Sequence, residues 1–346
     1  MFDHPSYDAH EGVHMFHDAH SGLRAIIAVH STARGPAAGG CRMWDYASGE
    51  AMLRDALRLS QGMSYKNAMA DIPLGGGKAV IWGNARKDKS PDLFRAFGRA
   101  VESLQGKYIT AEDVGVSVAD MEIVREETAH VAGLAHGEAA SGDPSPVTAK
   151  GVFLGLLETA KRAFGTDDLN GRTVAVQGVG HVGSYVCDHL AEAGAKLVIT
   201  DIDQAALEAV AKRTGATIVA PDAIYDIDAD IFSPCALGAV VNEQTLGRLK
   251  VKAIAGGANN QLIVPEMGEL LRRKGILYAP DYVINGGGII NVAAEISGNY
   301  SRDWVETKLS KLVETLGAVL DEALSTGTPT NEVADRIARE RIASAT

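Results

Sequence analysis

Cysteine is scarce: Cys41, Cys187 and Cys235 are the only three in 346 residues, scattered and odd in number. That argues against a disulfide framework and points to a reducing compartment, the cytoplasm. No apolar run is long enough to cross a bilayer, so no membrane partner is expected. The start, Met1-Phe2-Asp3-His4-Pro5, lacks the charged and apolar regions of a signal peptide. There is no basic block, and the formal charge of -11 argues against a nucleic-acid surface. Internal repeats and low-complexity tracts are missing too. Histidines crowd the start at His10, His14, His17 and His20. That region reads partly as strand, carries Gly12 and lacks a convincing carboxylate set, so no metal site is expected. What is present is 46% hydrophobic residues and a length that fits roughly two domains, each with a core.

The run Thr173-Val174-Ala175-Val176-Gln177 is followed by Gly178-Val179-Gly180-His181-Val182-Gly183, a G-x-G-x-x-G pattern. Helical apolar spacing follows at Val186, Leu190 and Ala193, and Gly194 can end that helix. Lys196 to Thr200 then reads as a second strand, closed by Asp201. Strand, glycine turn, helix, strand and acid together are the context a dinucleotide fingerprint requires. Gly178 makes the tight turn, Gly180 lets the backbone reach a pyrophosphate, and Gly183 allows close helix–strand packing. Asp201 stands where a carboxylate accepts a hydrogen bond from the ribose 2′-hydroxyl and repels a 2′-phosphate. Asp203 follows it and no arginine does, so NAD is expected over NADP.

Lys66 and Lys78 are twelve positions apart, the second directly after Gly75-Gly76-Gly77. Glycines let backbone and ligand approach closely. Two cationic side chains meeting in one cleft disfavour each other's charged forms, a condition that suits a general base at neutral pH. The alternative is a flexible surface loop with solvated lysines. Asp113 follows a strand read over Tyr108-Ile109-Thr110. It is either a group at a strand end, a usual place for catalysis, or the cap of a helix near 117–127. Cys235, at the end of a strand over 229–232, reads as a small residue near the cofactor or core rather than a nucleophile.

Elsewhere, residues 23–30 read as strand, 49–63 as helix, 79–82 as a short strand leaving the lysine loop, and 91–105 as helix with Pro91 in its first turn. The turn-rich stretch 141–148 reads as a domain junction, followed by a helix near 147–164. Strands are expected near 217–219, 229–232, 252–255 and 276–278. Gly256 to Asn260 and Asn285 to Gly288 read as ligand loops at the carboxyl edge of a parallel sheet. From Trp304 onward the chain reads as amphipathic helix.

These stretches together resemble the glutamate, leucine, phenylalanine and valine dehydrogenases, most closely the leucine/phenylalanine branch. The resemblance runs from about residue 23 to the C-terminal helix. It rests on Gly39-Gly40-Cys41-Arg42-Met43-Trp44, the Lys66 to Lys78 segment, Tyr108 to Gly115, Asp143 to Ala149, the glycine fingerprint, Ser233 to Gly238, Ala258 to Leu262, and Tyr278 to Gly288. It implies an α/β fold of two domains. An N-terminal α/β substrate and oligomerisation domain would cover 1–145, with 326–346 returning to it, and a Rossmann NAD-binding domain would cover 146–325. The C-terminal helices would pack back on the first domain. Closure on the substrate would use hinges near 140–147 and in the C-terminal helices.

The activity implied is reversible oxidative deamination: L-amino acid, NAD and water give 2-oxo acid, ammonia and NADH. By the same resemblance Lys66 binds the substrate α-carboxylate, with Gly40 nearby. Lys78 is the general base that deprotonates the attacking water, and Asp113 exchanges protons with the substrate nitrogen. Asn259 lies between substrate and nicotinamide; Arg42, Thr148, Cys235, Ala236 and Asn285 lie along the cofactor. A homo-oligomer, octamer or dimer, is implied.

Glutamate dehydrogenases place a lysine at the position of Ala38 and a serine at that of Val292. Without such partners a buried γ-carboxylate loses its compensation, so glutamate is disfavoured. Ala111 matches leucine-type enzymes. Ile289 narrows one wall relative to them, and Ala38 opens another. A branched aliphatic substrate is expected, with phenylalanine or a broad range second. A different Rossmann oxidoreductase would lack the lysine pair, and a non-catalytic NAD sensor would have no use for Lys78 or Asp113.

Overall fold

The computed structural model describes residues 2–134, 143–236, 238–298 and 300–345. Three expectations fall partly outside these: the domain junction read over 141–148, the hinge expected near 140–147, and Leu237 of the Ser233 to Gly238 motif. The chain divides into two compact units. The first comprises 1–143, 291–305 and 338–346; the second comprises 144–290 and 306–337.

The first unit holds β1 (Gly12–Asp18), β2 (Leu23–Ser31), β3 (Ala37–Trp44), α1 (Gly49–Met69), β4 (Gly75–Trp82), α2 (Pro91–Glu102), β5 (Tyr108–Glu112) and α3 (Val118–Arg125). Its strands form one mixed sheet in the order β1-β2-β4-β3-β5. β2 is antiparallel to β1 and β4, while β3 is parallel to β4 and β5. The sheet is covered on both faces, and β2 shows why. Alternate side chains leave a strand on opposite faces. Leu23, Ala25, Ile27 and Val29 join Phe94 and Phe97 of α2 in one core, and Ile26 and Ala28 join Met52 and Ala56 of α1 in another.

Two local expectations are corrected here. α1 does not stop at Met63 but continues to Met69, so Lys66 sits on its last turn. Gly75-Gly76-Gly77 is not a loop: it opens β4, and Lys78 is a strand residue. The cause is packing. A side chain on Gly76 would collide with the backbone of Ser64 on α1, and one on Gly77 would come 2.7 Å from the Tyr108 ring. Glycine serves here to let a helix lie directly on a strand.

The second unit opens with α4 (Ser145–Phe164) and β6 (Thr173–Gln177), then α5 (His181–Glu192), β7 (Lys196–Thr200), α6 (Gln204–Thr214) and β8 (Thr217–Ile218). After a 3-10 turn at Ala223–Asp226 come β9 (Ile231–Pro234), α7 (Glu243–Arg248), β10 (Ala253–Ile254), α8 (Met267–Arg273), β11 (Leu277–Tyr278) and α9 (Asp281–Ile284). The sheet is parallel throughout, in the order β11-β10-β9-β6-β7-β8. Strand order reverses between β6 and β9, the switch point where such sheets bind ligands, and the glycine fingerprint follows β6.

Three helices complete the chain: α10 (Gly287–Ile296), α11 (Arg302–Thr326) and α12 (Thr330–Ala343). Gly287 and Gly288 therefore open a helix instead of forming a turn. A side chain on Gly287 would meet the Val147 carbonyl at 2.6 Å, so glycine lets α10 begin against α4. The last turns of α12, from Ala338, belong to the first unit. There Arg339 Nε donates to the Tyr65 hydroxyl at 2.7 Å, and Arg341 Nη1 donates to the Ala68 and Met69 carbonyls, completing the C-terminus of α1. Among the described residues, no helix is long and apolar enough to cross a membrane.

Candidate active site

In the first unit, Lys78 projects from β4 and Asp113 lies one residue beyond β5. Lys78 Nζ donates to Asp113 Oδ2 at 2.6 Å, with the lysine side chain only 7% exposed. Arg42, from β3, donates through Nε to the same oxygen at 3.2 Å. Burial works to raise the Asp113 carboxyl, but the Lys78 ammonium and Arg42 guanidinium outweigh it and hold that carboxyl at about 2. The group at hydrogen-bond distance from Lys78 is thus a carboxylate. Asp113 does not cap α3: Ser117 does, in a capping box with Asp120.

Close backbone approach surrounds this pair. A side chain on Gly40 would come 2.8 Å from Asp113 Cβ, and one on Gly39 would press on Met63 of α1. The Tyr108 hydroxyl donates to the Gly39 carbonyl at 2.5 Å. Lys66 is half-buried on α1, between Tyr65 and Asn67, which are both buried. Ala38 is buried, and Ala111 and Val292 are half-buried. Ile289 is half-buried in the second unit, at the start of α10.

Three polar residues of the first unit were not singled out from sequence. Arg42 Nη1 donates to Asp55 Oδ2 at 3.1 Å, and the Tyr46 hydroxyl donates to that oxygen at 2.6 Å. Burial pushes the Tyr46 hydroxyl up, with Asp55 adding to it, so it stays a donor. Glu295, buried on α10, accepts the backbone N–H groups of Gly133 and Leu134 at 2.9 and 3.2 Å. Asp55 had one readable signal: it lies eleven residues before Lys66, three helical turns along the same stripe of α1. Tyr46 had none, because it lies outside any helix or strand and no period links it to Asp55, and Glu295 had none, because its partners are distant in sequence. Arg42, expected along the cofactor, is engaged by two carboxylates of its own unit.

In the second unit, Gly178 has φ +97, and a side chain on it would strike the Ala236 backbone. That conformation favours glycine, which makes the turn tight. A side chain on Gly183 would collide with the Gly178 carbonyl, so α5 starts directly against the turn. Gly180, at the N-cap of α5, makes no side-chain cap bond and meets nothing within 4 Å where a Cβ would be. His181 is exposed and Val182 half-buried beside it. Asp201 Oδ2 accepts the Val179 N–H at 2.7 Å, and Oδ1 accepts the Asp203 N–H at 3.0 Å. Asp203 itself caps α6.

At the same carboxyl edge, Asn285 Nδ2 donates to Asn259 Oδ1 at 2.8 Å and to the Gly257 carbonyl at 3.2 Å. Among the described residues, the buried Asn285 Oδ1 has no partner, an acceptor left for an N–H donor such as a carboxamide. Thr148 Oγ1 donates to the Pro144 carbonyl at 2.9 Å and lies beside Gly288. Burial raises the Cys235 thiol, which accepts the Gly257 N–H at 3.5 Å, so it is a poor nucleophile. An open helix N-terminus, a glycine cradle, an acid after β7 and an orphaned amide oxygen fit a nicotinamide dinucleotide.

Two family models match the chain. Residues 9–130 match the "Glu/Leu/Phe/Val dehydrogenase, dimerisation domain", and residues 141–206 and 199–346 match "Glutamate/Leucine/Phenylalanine/Valine dehydrogenase". The chain belongs to the Glu/Leu/Phe/Val dehydrogenase family. It is an amino-acid dehydrogenase, an oxidoreductase acting on CH–NH2 donors. The leucine dehydrogenase of Thermoactinomyces intermedius is 52% identical over 342 residues, covering 99% of this chain and 93% of that one. The phenylalanine dehydrogenase of Bacillus thermotolerans is 48% identical over 338 residues, covering 96% and 88%. The crystal structure of L-tryptophan dehydrogenase from Nostoc punctiforme aligns with a TM-score of 0.85 at 43% identity, covering 97% of each chain. The two-domain α/β architecture and the family expected from sequence hold for this dehydrogenase.

Proposed function

We propose that this dehydrogenase catalyses reversible, NAD-dependent oxidative deamination of an apolar L-amino acid of the leucine, valine or isoleucine type, giving the 2-oxo acid and ammonia. The observation that carries the reading is the buried Lys78 nitrogen 2.6 Å from Asp113, with Arg42 on the same oxygen. Hydrolysis of an imine needs a group to take a proton from water and another to move a proton at nitrogen. Lys78, in its neutral amine form, takes the proton from water, and the Asp113 carboxylate takes one from the nitrogen. Lys66 holds the substrate carboxylate, with the Gly39-Gly40 backbone giving room for it.

In the second unit, Asp201 would hold the adenosine ribose and reject a 2′-phosphate, which favours NAD over NADP. Gly178, Gly180 and Gly183 would admit the pyrophosphate to the N-terminus of α5. Asn285, braced by Asn259, would accept from the carboxamide, with Thr148, Cys235 and Ala236 alongside. When bound, NAD supplies the hydride acceptor. The enzyme is proposed to act in the cytoplasm as a homo-oligomer, octamer or dimer.

Apolar residues at Ala38 and Val292 leave a substrate γ-carboxylate unpaired, and Ala111 supports an aliphatic side chain. The higher identity to a leucine dehydrogenase supports the same choice. The second reading, phenylalanine or a broader range, is favoured by the smallness of Ala38. Measuring kcat/KM for leucine, valine, isoleucine, phenylalanine and tryptophan side by side tests this. The aliphatic trio should lead by about tenfold or more, since a methylene-scale misfit is worth roughly 1–3 kcal/mol. An aromatic preference would sink the leucine-type reading.

A further inference from the structure

Asp55 has no part in the roles assigned above, yet it is joined to them. Tyr46, Asp55, Arg42, Asp113 and Lys78 form one unbroken series of hydrogen bonds: 2.6, 3.1, 3.2 and 2.6 Å. Charge alternates along it, from neutral hydroxyl to carboxylate, guanidinium, carboxylate and ammonium. The members come from separate elements: Arg42 from β3, Tyr46 from the segment after it, Asp55 from α1, Lys78 from β4 and Asp113 from beyond β5.

A guanidinium offers a rigid fork that matches a carboxylate with two parallel bonds. Arg42 does not use its fork that way on Asp113. Nη1 is taken by Asp55, and Nε alone reaches Asp113, at a longer distance than the lysine does. Asp55 cannot turn away easily, because Tyr46 donates to the very oxygen that Arg42 uses. Without Asp55, the whole fork would be available to Asp113, and the long arginine side chain would regain its rotamer freedom. The first change would draw Asp113 toward Arg42 and away from Lys78, the second would loosen Arg42 from Asp113, and either would end the sharing of Asp113 between them.

We propose that Asp55, fixed by Tyr46, is a positioning residue. It holds Arg42 so that Asp113 remains shared between Arg42 and Lys78, at the geometry that proton transfer needs. The inference rests on the reading of Lys78 and Asp113 as the reacting pair.

The test compares Asp55→Ala, Asp55→Asn, Asp55→Glu and Tyr46→Phe with the wild type and with Lys78→Ala, using the intact enzyme. For each folded variant, kcat and KM are measured in both directions, and kcat/KM is followed against pH. The expected result for Asp55→Ala and Asp55→Asn is a fall in kcat of about tenfold or more with KM for the amino acid changed less than about threefold. Removing a negative charge should also move the limbs of the pH profile to lower pH. Asp55→Glu, which restores the charge, should recover much of both. A merely structural role would reduce stability or active fraction and leave the limbs where they are. Wild-type kcat and limbs in folded Asp55→Ala and Asp55→Asn would overturn the inference. If the Asp55 variants do not fold, Tyr46→Phe decides: a smaller loss of kcat with displaced limbs supports it, and an unchanged profile overturns it. Full turnover in Lys78→Ala would instead remove the underlying reading of the site.

Discussion

Asp113 Oδ2 receives hydrogen bonds from Lys78 and Arg42 at once, and this fixes its charge state. The carboxyl is held at about 2, below its ordinary 3.8. A depressed carboxyl stabilises the fold in full above the unfolded value. That contribution is lost as pH falls through the folded value. Its size is at most about 2 kcal/mol. Asp113→Asn should therefore differ from wild type less and less as pH drops from about 4 to 2, which urea titrations at stepped pH would show. A constant difference across that range would contradict the pairing. The same residue shows how sequence and structure divide the work. Asp113 and Lys78 were readable as candidates from a strand end and a glycine run. Their partners Arg42, Asp55 and Tyr46 were not readable as a network, because each bond joins residues that only the sheet and α1 bring together.

At the scale of elements, the contact between α1 and β4 carries the candidate site. Lys66 rides on the end of α1, and Lys78 on the strand beneath it. Glycines in a row look like a loop because local sequence records flexibility and not what lies above the strand. The backbone of Ser64 on α1 is what Gly76 must clear. Gly76→Ala should cost about 1–3 kcal/mol by overpacking and lower turnover with it; denaturant unfolding and steady-state assays check both. An unchanged midpoint would show that the helix and strand are not in such contact.

The middle of α1 is held by His10, whose Nε2 lies 3.0 Å from the Leu57 carbonyl and 3.1 Å from Ser60 Oγ. Burial pulls its imidazole down to about 4. A His depressed in the fold stabilises above its unfolded value, 6.5, and loses that contribution as pH falls toward 4. The loss amounts to about 3 kcal/mol at most. His10→Gln should be less sensitive than wild type over this window in thermal melts followed at stepped pH.

At the scale of the molecule, the parallel sheet of the second unit was legible because its signals are local: short apolar strands, one glycine turn, one acid. Its strand order puts the fingerprint at the switch point, as the motif required. The mixed sheet of the first unit was legible only in pieces, since the order β1-β2-β4-β3-β5 interleaves strands that are not neighbours in sequence. The side-chain selectivity is least determined by sequence, because a pocket's size depends on packing around Ala38 and Ala111 and not on their identity alone.

The most direct test of the proposed reaction is NADH oxidation with 4-methyl-2-oxopentanoate, with and without ammonium, for wild type and Lys78→Ala. The account predicts wild-type turnover that requires ammonium and falls by about 10²–10⁴-fold in the variant, the range expected for loss of a general base. Turnover without ammonium, or near-normal turnover in Lys78→Ala, would contradict it.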